Sequence, residues 1–152
     1  MTAGSDQLSD PCFQSRSVYS HWVQEHVRWS DTDCIGHANN LAFAAFSETG
    51  RALLLRRFME PDADPRAVLV MAEQRLKFLG EMHWPALIDV GTAVTGIKNR
   101  SCTMVQALFD GERCTGLVET QLVLIDEATR RSRPIPDSVR NILQQSALLR
   151  AN

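Results

Sequence analysis

The chain has 152 residues, enough for one domain of ordinary size with a genuine core. Apolar residues make up 44% and charged residues 22%, and a net charge of −2 supplies no bulk attraction to nucleic acid or an acidic membrane. No apolar run nears the length of a transmembrane helix, and the N-terminus lacks the basic-then-apolar order of a signal peptide, so the expected compartment is the cytoplasm.

Met1 to Ser17 is rich in Ser, Asp, Gln and Thr with little apolar periodicity, and reads as a flexible N-terminal arm ahead of a single domain over residues 18–152. Val18 to Trp29 reads as a strand, with Val23, Val27 and Trp29 on one face. A helix follows from about Asn39 to Phe58, with Asn39 or Asn40 as its N-cap. Leu41, Ala45, Phe46, Leu53 and Phe58 supply its apolar surface, broadened by Phe43, Ala44, Ala52, Leu54 and Leu55. Gly50 in mid-helix costs about 1 kcal/mol relative to Ala and suits a close approach to another backbone.

Met59 to Arg66, with Pro61 and Pro65, reads as a loop. Strand-like runs then cover Val68–Leu79, Ala86–Ile97, Ser101–Phe109 and Cys114–Asp126, the last two forming a hairpin around Asp110-Gly111. The prolines of Arg133-Pro134-Ile135-Pro136 open a short closing helix to about Leu149. One long helix with a mostly antiparallel sheet is an α+β design. A single such layer leaves apolar surface open, which predicts burial against a second subunit as a homodimer or homotetramer.

The most informative stretch is Asp31-Thr32-Asp33-Cys34-Ile35-Gly36-His37-Ala38-Asn39-Asn40, where the first strand stops and the long helix starts. Free N–H groups of a first helical turn, with the positive end of the helix dipole, can stabilise an oxyanion. A carboxylate beside them can activate water or attack directly. That pairing suits acyl transfer.

Val27-Arg28-Trp29-Ser30-Asp31-Thr32-Asp33, Gly36-His37-Ala38-Asn39-Asn40 and Glu48-x-x-Arg51 resemble the motifs of hotdog-fold acyl-CoA thioesterases, in particular the 4-hydroxybenzoyl-CoA thioesterase-like branch. The resemblance runs from about Val18 to Leu143. It implies a hotdog fold, a curved antiparallel sheet wrapped around one long helix, and hydrolysis of an acyl-CoA to free acid and coenzyme A without a cofactor. It implies that Asp33 is the general base or nucleophile and that the backbone N–H of Asn40 faces the thioester oxygen. Gly36 matches the turn glycine that lets chain and substrate approach, and His37 and Asn39 complete the substrate-binding turn. Asp31, Glu48 and Arg51 match positions of structural support. Relatives often carry an aromatic residue two or three positions before Glu48 and another near the helix start; here those places hold Phe46, Phe43 and Ala44, none with a phenol hydroxyl.

Plainer readings compete. Asp33 could be only an Asx-turn residue, and His37 could simply fix local backbone. Cys34-x-x-His37 has metal-like spacing, but no second pair follows, and His21, His26 and His83 look scattered, so no metal site is expected. Cys12, Cys34, Cys102 and Cys114 read as reduced thiols, with Cys114 opposite Ala107 to Phe109 and too far from Cys102 to bridge. Arg75, Lys77, Lys98 and Arg100 could meet the coenzyme phosphates or be ordinary solvated side chains. Trp29, Trp84 and Phe78 read as core or subunit contacts. The alternative function is a non-catalytic acyl-CoA-binding module. A hotdog hydratase fits poorly, because His37 precedes the helix.

Overall fold

The computed structural model describes residues 7–56 and 66–149. Five strands form one antiparallel sheet: β1 (His21–Val27), β2 (Ala67–Phe78), β3 (Ala86–Ile97), β4 (Ser101–Asp110) and β5 (Arg113–Asp126), in the spatial order β1-β3-β4-β5-β2. The long helix α1 (Asn40–Leu55) lies across one face, and a short helix α2 (Asp137–Gln145) closes one end. This is the expected α+β architecture. Register breaks at Met71/Glu73, Val94/Gly96 and Leu108/Phe109 bend the strands, as bulges do, so that the sheet curls over the helix. No helix among the described residues is long and apolar enough to cross a membrane.

The hairpin turns where expected. Gly111, at φ +60°, takes the first position between the paired Asp110 and Arg113, a backbone conformation that favours glycine. Cys114 pairs with Phe109 and Cys102 with Leu122, and all four cysteines are free thiols.

The helix buries a different stripe from the one expected. Ala42, Phe43, Phe46, Ser47, Gly50, Arg51 and Leu54 face the sheet, while Leu41, Ala45 and Leu53 are exposed. Contact distance rather than side-chain size selects the face. A Cβ on Gly50 would stand 2.9 Å from Nε2 of Gln106 and 3.0 Å from Val90, so the helix sits on the sheet at its small residues. Phe43 and Phe46 then fill the space between α1 and Ile88, Val90, Leu108 and Val118. The expected end of the helix at Phe58 and the proline loop through residue 65 lie outside the described residues.

The N-terminal segment also differs from expectation. From Gln7 to Val18 the chain makes three short 3-10 turns instead of a loose arm. Leu8, Phe13, Val18 and Tyr19 are buried against Ala93, Val105, Ala107, Phe109 and Leu117, on the sheet face turned away from α1. A strand buried on both faces reads as a continuous apolar run, which Val105 to Phe109 nearly is. Arg16 fastens the segment: its guanidinium bonds Asp89 (2.8 Å) and the Gly111 carbonyl (2.9 Å) and stacks over Trp22. The chain then reaches the sheet again after α2, where Ala147 bridges Val94 beyond the end of β1.

Candidate active site

Between β1 and α1 the chain folds into two consecutive turns. The first, Trp29–Asp31, is locked by Arg28. Its guanidinium forks onto both carboxylate oxygens of Asp31 (2.9 and 3.0 Å), and its backbone N–H donates to Oδ2 at 2.8 Å. These hydrogen bonds from Arg28 hold the Asp31 carboxyl below the usual carboxylate range. The Asp31 carbonyl then accepts the Asn39 N–H at 2.7 Å, which joins this turn to the helix start. Asp31 therefore has the supporting place expected of it.

The second turn carries Asp33. Its Oδ1 accepts the backbone N–H groups of Ile35 (2.9 Å) and His37 (3.1 Å), and its own N–H donates to the His37 carbonyl at 2.8 Å. This is the Asx-turn geometry of the plainer reading. The other oxygen, Oδ2, accepts no hydrogen bond among the described residues, and the side chain is exposed. One oxygen thus orients the carboxylate while the other stays available. Gly36 sits at φ +84° with open space where a Cβ would be. The turn needs glycine for its backbone angle, rather than for a close approach by any other part of the chain.

Asn39 is the N-cap of α1, its side-chain oxygen accepting the Ala42 N–H at 3.0 Å. Asn40 is therefore the first helical residue. The N–H groups of Asn40 and Leu41 have no acceptor among the described residues, so the helix start keeps two donors at its positive end. Asp33, Gly36, His37, Asn39 and Asn40 thus come together in one turn and helix start, with His37 and Asn39 half-buried and the rest exposed.

Other expectations sort by contact. Glu48 and Arg51 pair one helical turn apart, with Arg51 buried and also 3.5 Å from the Thr120 hydroxyl, as expected of structural residues. They border a cavity of about 300 Å³ between α1, β2 and β5, shared with Leu55, Leu69, Met71 and Leu122. Eleven residues of helix rise separate Arg51 from Asn40, roughly 16 Å, so this cavity is not the space in front of Asp33. Arg100 bonds Ser132, Arg75 reaches Glu119, and Lys77 donates to the Leu8 carbonyl; each has a partner within the fold. Trp29 and Trp84 meet edge to face at 5.4 Å on the surface instead of in the core, 71% and 47% exposed.

Sequence reasoning missed one neighbour of the site. His83 is not scattered: it forms an antiparallel bridge with His37, and Glu81 lies between the two imidazoles. The alternation Glu81-Met82-His83, with Met82 fully buried, would have placed the outer two on one side. Nothing local in the sequence says that His37 pairs with that segment.

An antiparallel sheet curled over one long helix is the hotdog architecture. A family model, the Thioesterase-like superfamily, matches residues 27–143, and the chain belongs to that family. Solved structures share the fold. PA5185 of Pseudomonas aeruginosa strain PAO1 is 24% identical, with a TM-score of 0.79 over 88% of this chain and 95% of that one. A protein of Bacillus stearothermophilus described as a predicted thioesterase is 24% identical, with a TM-score of 0.77 over 83% and 95%. A thioesterase of Thermus thermophilus, solved with coenzyme A and Zn, is 23% identical, with a TM-score of 0.74 over 83% and 98%. No curated protein matches the sequence.

Proposed function

We propose that the protein is an acyl-CoA thioesterase of the 4-hydroxybenzoyl-CoA thioesterase-like branch, hydrolysing an acyl-CoA to carboxylic acid and coenzyme A. The observation that carries this reading is the pairing of Asp33, with Oδ2 unengaged, and the uncapped N–H groups at the start of α1. Asp33 takes a proton from water, or attacks the thioester carbonyl itself. The Asn40 N–H and the helix dipole hold the tetrahedral oxyanion until the thiolate of coenzyme A leaves. Gly36, His37 and Asn39 shape the turn against which the thioester lies. Family membership and the coenzyme A bound by the Thermus thermophilus relative support this choice of substrate.

The working form is a homodimer or homotetramer. Trp29, Ile35, Leu41 and Trp84 are all 47% or more exposed, and the first three flank Asp33 and Asn40 in the chain. A second copy covering them would supply the wall that the exposed carboxylate lacks. The rival reading, a binding module without turnover, has no use for a carboxylate with one oxygen held and the other unengaged.

Release of free coenzyme A thiol from short, long and aromatic acyl-CoAs, by wild type and Asp33→Ala in parallel, tests the proposal. Hydrolysis by wild type that falls at least ~100-fold in the mutant is the expected result. No hydrolysis of any acyl-CoA by wild type would turn the reading to the binding module. Equal hydrolysis by both proteins would remove Asp33 from the chemistry.

A further inference from the structure

We infer that His37, Glu81 and His83 form a three-ligand site for a divalent transition-metal ion of the zinc type. One ligand atom from each lies within 4.8 Å of the other two. Nε2 of His37 stands 3.6 Å from Oε2 of Glu81, and Nε2 of His83 stands 3.4 Å from the same oxygen. Those separations exceed the about 2.7–2.9 Å of a charge-assisted hydrogen bond. The His83–Glu81 separation falls within the about 3.3–3.5 Å between two ligands of one tetrahedral zinc ion, given its bond lengths to nitrogen and oxygen, and the His37–Glu81 separation lies just beyond it. Two imidazoles and a carboxylate are also a donor set found in catalytic zinc sites.

The backbone builds this arrangement before any ion arrives. The His37–His83 bridge sets the two histidines side by side, their rings perpendicular with centroids 4.9 Å apart. Glu81 and His83 alternate with Met82, whose side chain is wholly buried and whose carbonyl accepts the Ala38 N–H at 2.8 Å. The Glu81 carbonyl is held by Arg113 at 2.7 Å. The segment carrying Glu81 and His83 is therefore held at two points, by the main-chain bond from Ala38 and by the Arg113 side chain. A bound ion ties the turn that orients Asp33, through His37, to the segment entering β3. An ion held by these three ligands would have one position left for water.

His37 is shared with the proposed thioester site, but the metal assignment does not rest on hydrolysis, and its test reads metal directly. Chelator-treated full-length protein is titrated with ZnCl2 by calorimetry and with CoCl2 by visible absorption. One equivalent per chain is expected, with the intense bands of four-coordinate cobalt(II). Glu81→Gln and His83→Ala should each weaken binding by more than ~10-fold, since even groups one step outside a ligand shell are worth ~10–100-fold. Both positions are exposed, so the metal-free variants should melt as wild type does. Cys34→Ser, which removes the nearby exposed thiol, should bind unchanged. No binding by wild type, a weak six-coordinate cobalt spectrum, or binding that survives in both ligand variants would overturn the assignment. So would binding lost in Cys34→Ser.

Discussion

The backbone N–H of His37 donates to Oδ1 of Asp33 at 3.1 Å, so the carboxylate proposed for the chemistry also ties the turn that presents it. The two jobs separate by substitution. Asp33→Asn keeps an oxygen that can accept from Ile35 and His37, whereas Asp33→Ala loses both bonds. Both should lose turnover by ~100-fold or more. Only the alanine variant should also lose stability, by about 1–3 kcal/mol, the net worth of two hydrogen bonds. Urea unfolding beside thiol release checks this; an asparagine variant as unstable as the alanine one would mean that charge, not geometry, holds the turn.

Stability should fall in acid for a stated reason. Hydrogen bonds from Arg28 hold the Asp31 carboxyl below its ordinary range, and those from Gln24 and then Arg16 do the same for Asp89. A group whose folded pKa is depressed contributes stability that is fully present above its unfolded value. That contribution is lost as pH falls through the folded value. The melting temperature should therefore hold steady from neutral pH to about 5 and drop below about 4, where carboxyls of the unfolded chain protonate. Asp31→Asn should melt lower than wild type at neutral pH and lose less on acidification. Parallel acid slopes for the two proteins would rule out this origin.

Thiol reactivity should divide the cysteines. Burial pushes Cys102 and Cys114 up to about 11, while Cys34 is exposed in the candidate active-site turn. At pH 8 a disulfide reagent should label Cys34 rapidly and Cys102 and Cys114 only on unfolding. Mass mapping of the labelled peptides reads this directly. Fast labelling of Cys102 in folded protein would mean that the sheet opens beneath α2, where that thiol is packed.

Gly50 should be worth more than its helix propensity suggests. Alanine there would gain about 1 kcal/mol of intrinsic helix preference. Its Cβ, however, would press on Gln106, whose amide donates to the Ser47 carbonyl (2.7 Å) and the Thr92 hydroxyl (3.1 Å) and cannot simply swing away. Overpacking of that kind costs about 1–3 kcal/mol, so Gly50→Ala should destabilise the protein on balance. A higher melting temperature for the variant would show that α1 can lift from the sheet without cost.

Strand runs and the hairpin turn were legible in the sequence because alternation and Asp-Gly are local signals. Ala86–Ile97 needed no change at all. The motif from Asp31 to Asn40 was legible as well, since turn, cap and helix start follow one another in the chain. What could not be read depends on pairing across the fold. The face of α1 is chosen by Gly50 meeting Val90 and Gln106, and His37 meets His83 only because the chain returns beside the turn. Composition also misled at Gln7–Ser17, where the few apolar residues, Leu8, Cys12 and Phe13, are those that meet the sheet.

The packing of that N-terminal segment can be tested directly. Phe13 is 4% exposed, and its carbonyl accepts the buried Tyr19 hydroxyl at 2.7 Å, so the N-terminal turns act as a cover for the outer sheet face. Without them Val105, Ala107 and Phe109 would lie open on β4 as an apolar patch. Phe13→Ala should cost about 3–5 kcal/mol, the range for truncating a buried phenylalanine, and raise binding of a hydrophobic dye. An arm that was merely tethered would tolerate the same change with a loss below about 0.5 kcal/mol, as surface substitutions do. Because the segment packs on the face opposite α1, the two outcomes also differ at the candidate active site. A cover lost from the outer face should lower the melting temperature while leaving kcat at permissive temperature near the wild-type value.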